Sequence, residues 1–323
     1  MPLLDSAYAP PWFLRNGHAL TLYPVLTRRV PPMPGRRVRL TTFDDDFIDV
    51  DVWPGTGGQG RRAVILSHGL EGNSRRKYMR GMGRALARRG WDVFARNIRN
   101  CSGEPSKSPR HYHMGATEDL HTVVEYCLSL GYAVLALVGF SMGGSQTLKY
   151  LSEAPERVPS QVRAAVAVSV PCDLVASSER LAAPACRIYM MYFLRTLRRK
   201  MRIAAARHPD FPSLEGLEAM RTFNEFDERF TAPINGFASA HDYWSRNGCG
   251  QFLPRLRVPA LLLNAQDDPF MNAPCYPVDT ARENPCLFLE MPRHGGHVGF
   301  VLPGEEYWSE QRAAAFLQEH CAV

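Results

Sequence analysis

The stretch Leu135-Ala-Leu-Val-Gly-Phe-Ser-Met-Gly-Gly144 joins an apolar run directly to a G-x-S-x-G signature. Val134 to Phe140 reads as a buried strand, and Met142 to Leu151 reads as a helix carrying the good formers Gln146, Leu148 and Lys149. A serine on a tight turn between such a strand and such a helix has its hydroxyl held clear of the backbone. Gly139 and Gly143 permit the strained turn and close helix–strand packing. Ser141 is therefore the candidate nucleophile. Chance produces the pentapeptide wherever small residues gather, so the flanking strand and helix are what separate this occurrence from a bland turn.

Working outward, short apolar runs alternate with amphipathic segments. Ala63 to Ser67, Trp91 to Arg96, Val162 to Val170, Pro259 to Asn264 and Cys286 to Met291 read as strands. Lys77 to Arg89, Ala116 to Leu130 and Glu305 to His320 read as helices. This rhythm implies an α/β fold with a mostly parallel central sheet and helices on both faces. Upstream, Arg37 to Phe43 and Phe47 to Trp53 flank Asp44-Asp45-Asp46 as a hairpin would, and Pro54 to Gly60 is a glycine-rich loop. Residues 1–35 are rich in proline and aromatics, among them Pro10, Pro11, Trp12, Phe13, Pro31, Pro32 and Pro34. They predict an extended arm packed over the domain, not a helix. Between about Cys172 and Pro254 no strand is evident, and helical pieces such as Ala185 to Ile203 predict a helical cap inserted over the sheet's carboxyl edge. The organisation expected is one domain over 1–323, with the cap at about 172–254 and the arm at 1–35.

Composition sets bounds on function. With 323 residues and 45% hydrophobic content the chain can bury a substantial core. Its net charge of +6 is the small difference between 38 basic and 32 acidic residues, and no nucleic-acid-reading motif accompanies the arginine pairs. Solvated surface is the reading of those pairs, and no nucleic-acid partner is expected. Eight cysteines are scattered without a C-x-x-C pair, which fits free thiols in a reducing compartment. The sequence shows no basic leader and no window of about 18 apolar residues, so a soluble cytoplasmic protein without stable membrane insertion is expected.

A serine hydroxyl needs a base, and the base needs an orienting acid. In a strand-turn-helix architecture these follow the serine in the order acid, then histidine, on loops after strands. Asp267 and Asp268 directly follow the run Leu261-Leu-Leu-Asn264, and Asp268, before Pro269, is the preferred acid. His294 and His297 lie in Arg293-His-Gly-Gly-His-Val-Gly299, and His297 is the preferred base because Gly295-Gly296 gives the backbone freedom to project it. The H-x-x-H spacing has no further ligand set, so no metal is expected. The oxyanion of an acyl-transfer intermediate calls for two backbone N–H groups. Met142, after the nucleophile, is one candidate; Leu70, in Ser67-His-Gly-Leu-Glu-Gly-Asn73, is the other. Cys101 lacks an elbow and reads as a buried thiol. His111, His113 and His121 read as local structure around the Gly115 turn, despite the H-x-x-x-x-E spacing from His113 to Glu118.

These blocks together resemble the α/β-hydrolases, and within them the YheT-like hydrolases related to the eukaryotic ABHD1/2/3 lipases and the yeast medium-chain ester synthases. The resemblance runs from Arg15-Asn-Gly-His18 through Asn100-Cys-Ser-Gly-Glu104 to His294-Gly-Gly-His-Val-Gly-Phe300. It implies a Ser141, Asp268 and His297 triad, no cofactor, and a small-molecule ester as substrate. The chain departs from the pattern at Asn97-Ile-Arg-Asn100, where an arginine-glycine pair more often precedes the cysteine. The function expected is a serine carboxyl-ester hydrolase acting through an acyl-enzyme on short- to medium-chain esters, with the stripe from Met190 to Leu194 suited to an acyl chain or to plain packing of a cap helix. The alternatives are acyl transfer to an alcohol, and a catalytically idle hydrolase fold serving as a binding protein.

Overall fold

The computed structural model describes residues 3–56 and 62–321. Most of the glycine-rich loop read at Pro54 to Gly60 lies outside the described residues, as does Arg61. The strands are β1 (Leu3–Leu4), β2 (Arg36–Thr41), β3 (Phe47–Trp53), β4 (Arg62–Ser67), β5 (Asp92–Asn97), β6 (Val134–Phe140), β7 (Val162–Val168), β8 (Ala260–Leu263) and β9 (Leu287–Glu290). Before and among the early strands come the helices α1 (Gly17–Thr27), α2 (Lys77–Ala87), α3 (Glu118–Ser129) and α4 (Met142–Glu153). Between β7 and β8 lie α5 (Leu174–Ala182), α6 (Arg187–Arg207), α7 (Phe223–Phe226), α8 (Ala232–Ile234) and α9 (Ala240–Asn247). The chain closes with α10 (Val278–Glu283) and α11 (Trp308–His320).

The strands form a single sheet in the order β1-β9-β8-β7-β6-β4-β5-β3-β2. From β1 across to β5 every pairing is parallel; β3 joins β5 and β2 antiparallel, and β2 and β3 make the hairpin expected about Asp44 to Asp46. Alternate side chains of the central strands serve opposite faces, as the two-residue period requires. Ile65 of β4 and Leu135 and Leu137 of β6 pack beneath α3 and α4 with Leu120, Val123, Leu148 and Leu151. Val64, Leu66, Ala136, Val138 and Phe140 pack on the other face with Met79, Met82 and Leu86 of α2 and Phe316 and Leu317 of α11. Both faces are thus apolar along each strand, which is why these segments read as continuous hydrophobic runs. A third cluster joins Met190, Leu194, Leu197 and Met201 of α6 to Met142, Phe270 and Tyr112. It holds the helices between β7 and β8 against the carboxyl ends of the strands.

Two expectations need correction. The N-terminal arm is not helix-free: α1 occupies 11 of its residues and contains Pro24. The prolines that argued against a helix mostly flank it, while the Asn16 side chain accepts from the His18 and Ala19 N–H groups and caps its start. Leu20, fully buried, anchors the helix against the core. The strand expected to reach Val170 stops at Val168, because Ser169 takes φ 55° and leaves the extended region.

Candidate active site

Ser141 sits where β6 turns into α4, with φ 51° and ψ −118°. Its N–H donates to Val168 O (2.9 Å) and its carbonyl accepts from Ser145 N–H (2.9 Å), so the strained turn is locked from both sides. A Cβ on Gly139 would come within 2.3 Å of Gly143 O, which only glycine at that position avoids. Beneath the turn, the buried Arg96 guanidinium donates from Nε to Ser67 Oγ (2.7 Å) and from a terminal nitrogen to Gln146 Oε1. Burial pushes that guanidinium down to about 10. Arg96 thereby ties the end of β4 to α4, and Gln146 Nε2 donates to His113 O (2.9 Å), extending the tie to the next loop.

The loop after β8 carries both aspartates, and the structure separates their surroundings. Asp268 is buried; its Oδ2 lies 2.8 Å from His297 Nδ1, and its Oδ1 accepts from Phe270 N–H (2.9 Å). The Nδ1–H therefore points at the carboxylate, leaving Nε2 with its lone pair free for proton abstraction. The Phe270 ring packs on the His297 ring at 4.1 Å between centroids. Asp267 instead accepts from Gly296 N–H (2.8 Å) and lies 3.2 Å from His294 Nδ1, bracing the glycine loop. Helix α1 completes the support: Thr21 Oγ1 accepts from His297 N–H (2.8 Å), and Gly17 approaches Asp267 so closely that a Cβ would lie 1.8 Å from its carbonyl oxygen.

The loop after β4 forms a turn in which Gly72 N–H donates to Gly69 O (2.9 Å). His68 is fully buried, and its ring tells its tautomer: Nε2 accepts from Ile98 N–H (3.0 Å), so Nδ1–H donates to Gly69 O (2.8 Å). Burial holds this imidazole down to about 3, so it is a neutral brace and not a base. Two donors thus pin the Gly69 carbonyl, and peptide planarity turns the Leu70 N–H to the opposite side. Met142, first residue of α4, has an N–H that the helix itself cannot satisfy. Leu70, Ser141, Met142 and His297 all line one cavity of about 90 Å³.

Glu71, at the turn's left-handed position with φ 55°, is clamped by the Lys200 ammonium of α6 (2.6 Å) and the Tyr112 hydroxyl. Its carbonyl accepts from Arg76 (2.7 Å). Glycine is the usual occupant of such a position. Here the carboxylate links the turn to α6. Cys101 is buried with its Sγ 3.1 Å from the Lys200 Nζ, and Asn100, Cys101, Gly103 and Glu104 line a separate cavity of about 220 Å³ beside this clamp.

Apolar and aromatic side chains, including Phe193, Phe223, Trp244 and Phe270, complete the wall of the smaller cavity. Of the Met190 to Leu194 stripe, only Phe193 lines it; Met190 and Leu194 are buried packing residues, and Met191 and Tyr192 face outward. Two more lining residues are polar: His113, read from the sequence as local structure around the Gly115 turn, and Asp227, which the sequence did not flag. His113 is buried and pushed down to about 3, with Nδ1 accepting from Gly115 N–H (3.2 Å). Asp227 sits in one π-helical turn, where Thr231 Oγ1 (2.6 Å) and Trp244 Nε1 (2.8 Å) donate to its carboxylate. No motif announces it, though its four-residue spacing to Thr231 is that of helical neighbours.

Burial raises the Asp227 carboxyl to about 6, against the lowering effect of those two hydrogen bonds. With a folded-state value above the unfolded one, its contribution favours the fold at acid pH and is lost as pH rises through about 6. Asp227→Asn is therefore expected to gain melting temperature relative to the parent on going from about pH 4 to about pH 8, by the equivalent of at most roughly 3 kcal/mol. Scanning calorimetry of both proteins across that range checks this; a constant difference contradicts it.

Among the described residues no group of three or more His, Cys, Asp and Glu side chains is placed to hold a metal ion, and no helix is long and apolar enough to cross a membrane. All eight cysteines are free. A profile of the α/β hydrolase fold family matches residues 62–303. The chain is 34% identical to YheT of Escherichia coli (strain K12), over 97% of this chain and 93% of that protein. It is 30% identical to phospholipase ABHD3 of Mus musculus, over 96% of this chain and 76% of that one. Among solved structures, the esterase Pf2001 of Pyrococcus furiosus aligns over 97% of this chain and 100% of its own, with a TM-score of 0.60 at 18% identity, a likeness of fold. An elbow serine after the central strand, with acid and histidine on later strand ends of a mostly parallel sheet, agrees with these matches: the chain belongs to the α/β-hydrolase family, within its YheT-like group.

Proposed function

We propose that the chain is a serine carboxyl-ester hydrolase. The observation that carries this reading is the 2.8 Å His297–Asp268 pair, whose imidazole lines the same cavity as the strained Ser141. In this mechanism His297 Nε2 takes the Ser141 hydroxyl proton as Oγ adds to the ester carbonyl carbon. The Leu70 and Met142 N–H groups receive the developing oxyanion. Collapse expels the alcohol, which leaves with the proton from His297, and the acyl group stays on Ser141. Water then adds to the acyl-enzyme with His297 again as base, releasing the carboxylic acid. Asp268 orients His297 and stabilises its charged form throughout.

The substrate is a small-molecule ester with a short- to medium-length acyl chain. The aromatic lining favours an apolar chain, and the phospholipase and lipase activities named for relatives such as mouse ABHD3 and the yeast monoacylglycerol lipase are of the same chemical class. Ligand sites usually enclose ~300 Å³ or more. At about 90 Å³ the cavity favours short acyl groups unless the helices between β7 and β8, which we assign as a cap, shift outward. Hydrolysis of p-nitrophenyl esters from acetate to palmitate by the parent and Ser141→Ala tests the reading. Turnover by the parent alone, strongest at the shorter chains, is expected; equal rates for both proteins overturn it.

The Glu71 clamp gives a further expectation. Glu71→Gly suits the left-handed position, and combining it with Lys200→Met leaves no unpaired ammonium buried. The double variant is expected to fold and to lose about tenfold in kcat with KM little changed, because the Leu70 amide is no longer fixed against α6. Steady-state kinetics on p-nitrophenyl acetate measure it, and an unchanged kcat would dissociate the clamp from the oxyanion donor.

A further inference from the structure

Eleven large hydrophobic side chains are strongly exposed among the described residues, and eight of them belong to two neighbouring parts of the chain. Trp12 and Phe13 precede α1, and Leu22, Val25 and Leu26 form one stripe on it. Ile188, Met191 and Tyr192 form a matching stripe on the first half of α6. Trp12 is 80% exposed, Leu26 78% and Ile188 72%. Both stripes follow the i, i+3, i+4 spacing of a single helix face. Scattered exposed hydrophobics need no explanation; eight gathered on adjoining elements do.

The two elements are in contact. His18 of α1 stacks on Tyr189 of α6 at 5.8 Å, and their side chains approach to 3.2 Å. At the start of α2, Lys77 Nζ donates to Val25 O (2.7 Å) and Arg76 donates to the Tyr192 hydroxyl (2.6 Å), so the same short segment touches both. The inner faces of both helices reach the site described above: Thr21 holds His297, and Phe193 lines the cavity. The apolar face therefore adjoins the catalytic cavity.

On these two elements the charge has one sign, and Glu305 and Glu306, which share a groove with Phe13, are paired with Arg88 and Arg89. No aspartate or glutamate occurs from Ser6 to Phe43, and none in the 21 residues of α6. Arg15, Arg75, Arg187, Arg195 and Arg199 are exposed, and none has a carboxylate of the described residues within 4.0 Å. Apolar stripes rimmed by unpaired arginines match the interface of a bilayer whose headgroups carry negative charge. A second copy of the chain would bring two cationic faces together.

We propose that this face docks the protein reversibly onto an anionic phospholipid surface, setting the catalytic cavity beside the lipid. The inference stands apart from the hydrolase reading, since docking requires no turnover. Co-sedimentation of the full chain with vesicles of phosphatidylcholine, and of phosphatidylcholine mixed equally with phosphatidylglycerol, tests it. Binding to the mixed vesicles that weakens with added salt is expected, and Ser141→Ala is expected to bind as the parent does. Leu26→Asp/Ile188→Asp/Met191→Asp is expected to lose at least about tenfold in partition. Arg195→Glu/Arg199→Glu is expected to lose binding to the anionic vesicles specifically. Both variants keep parent-level hydrolysis of p-nitrophenyl acetate if folded, and circular dichroism provides a second check. Parent protein that stays in the supernatant with both vesicles, or apolar variants that pellet equally with it, overturns the proposal. So does light scattering that finds a parent dimer abolished by the same substitutions while vesicle binding is absent, which would give the face to a second copy.

Discussion

Ser141→Ala is expected to lower kcat for p-nitrophenyl esters by a factor on the order of 10⁵ to 10⁶, with the fold unchanged. The size follows from the route: without Oγ there is no acyl-enzyme, and His297 and the two amides then act only on direct attack by water. Stability carries an independent signature of the elbow. Ser141 holds φ 51°, a conformation that disfavours any side chain, so Ser141→Gly is expected to unfold about 1 kcal/mol less readily than the parent while being equally inactive. Stopped or steady-state assays give the first result and denaturant melts the second. Retained turnover in Ser141→Ala would remove the serine from the chemistry.

Asp268→Asn is expected to reduce kcat by roughly 10³- to 10⁴-fold with little change in KM. An amide nitrogen facing His297 Nδ1 would favour the tautomer that carries its proton on Nε2, where a lone pair is needed. The Phe270 N–H can still be accepted by the side-chain oxygen, so the loop keeps part of its support. Asp267→Asn makes the contrast. That carboxylate meets Gly296 N–H and His294, not His297, so the loss expected is no more than about tenfold and traceable to looser placement of the glycine loop. Equal losses in the two variants, measured under the same conditions, would contradict the separate surroundings of the two aspartates.

The parts of the fold visible in the sequence are those in which one strong physical signal dominates. Val134 to Phe140 and its neighbours are apolar on both faces, so the central parallel strands and their covering helices could be read directly, with ends that shift by a few residues. The elbow was equally legible because glycine at Gly139 and Gly143 is a steric necessity. Helix α1 was hidden because Pro10, Pro11 and Pro31 to Pro34 advertise extended chain on either side of it. Its stability comes from the local Asn16 cap and the burial of Leu20, and the second is settled only by tertiary contacts. β1 escaped notice for a related reason: two residues, Leu3 and Leu4, carry no periodicity, and only pairing with β9 makes them a strand.

The site divides along the same line. Asp268 and His297 follow strands at the required places, whereas Thr21, Lys200 and Asp227 reach the site from elements whose packing no local pattern encodes, and Glu71, inside the readable loop after β4, gains its role only from its contact with Lys200. His68 shows the difference within one motif. Its position beside Gly69 was readable, but its work as a neutral brace depends on the Ile98 N–H, 30 positions away in the chain.

The most direct measurement of the central claim is covalent capture of the nucleophile. Folded parent protein is treated with a fluorophosphonate, digested, and its peptides are mapped by mass spectrometry. Stoichiometric phosphonylation confined to Ser141, absent in Ser141→Ala and greatly slowed in Asp268→Asn, is the result predicted. No labelling of folded protein, or labelling at another residue that persists in Ser141→Ala, would contradict it.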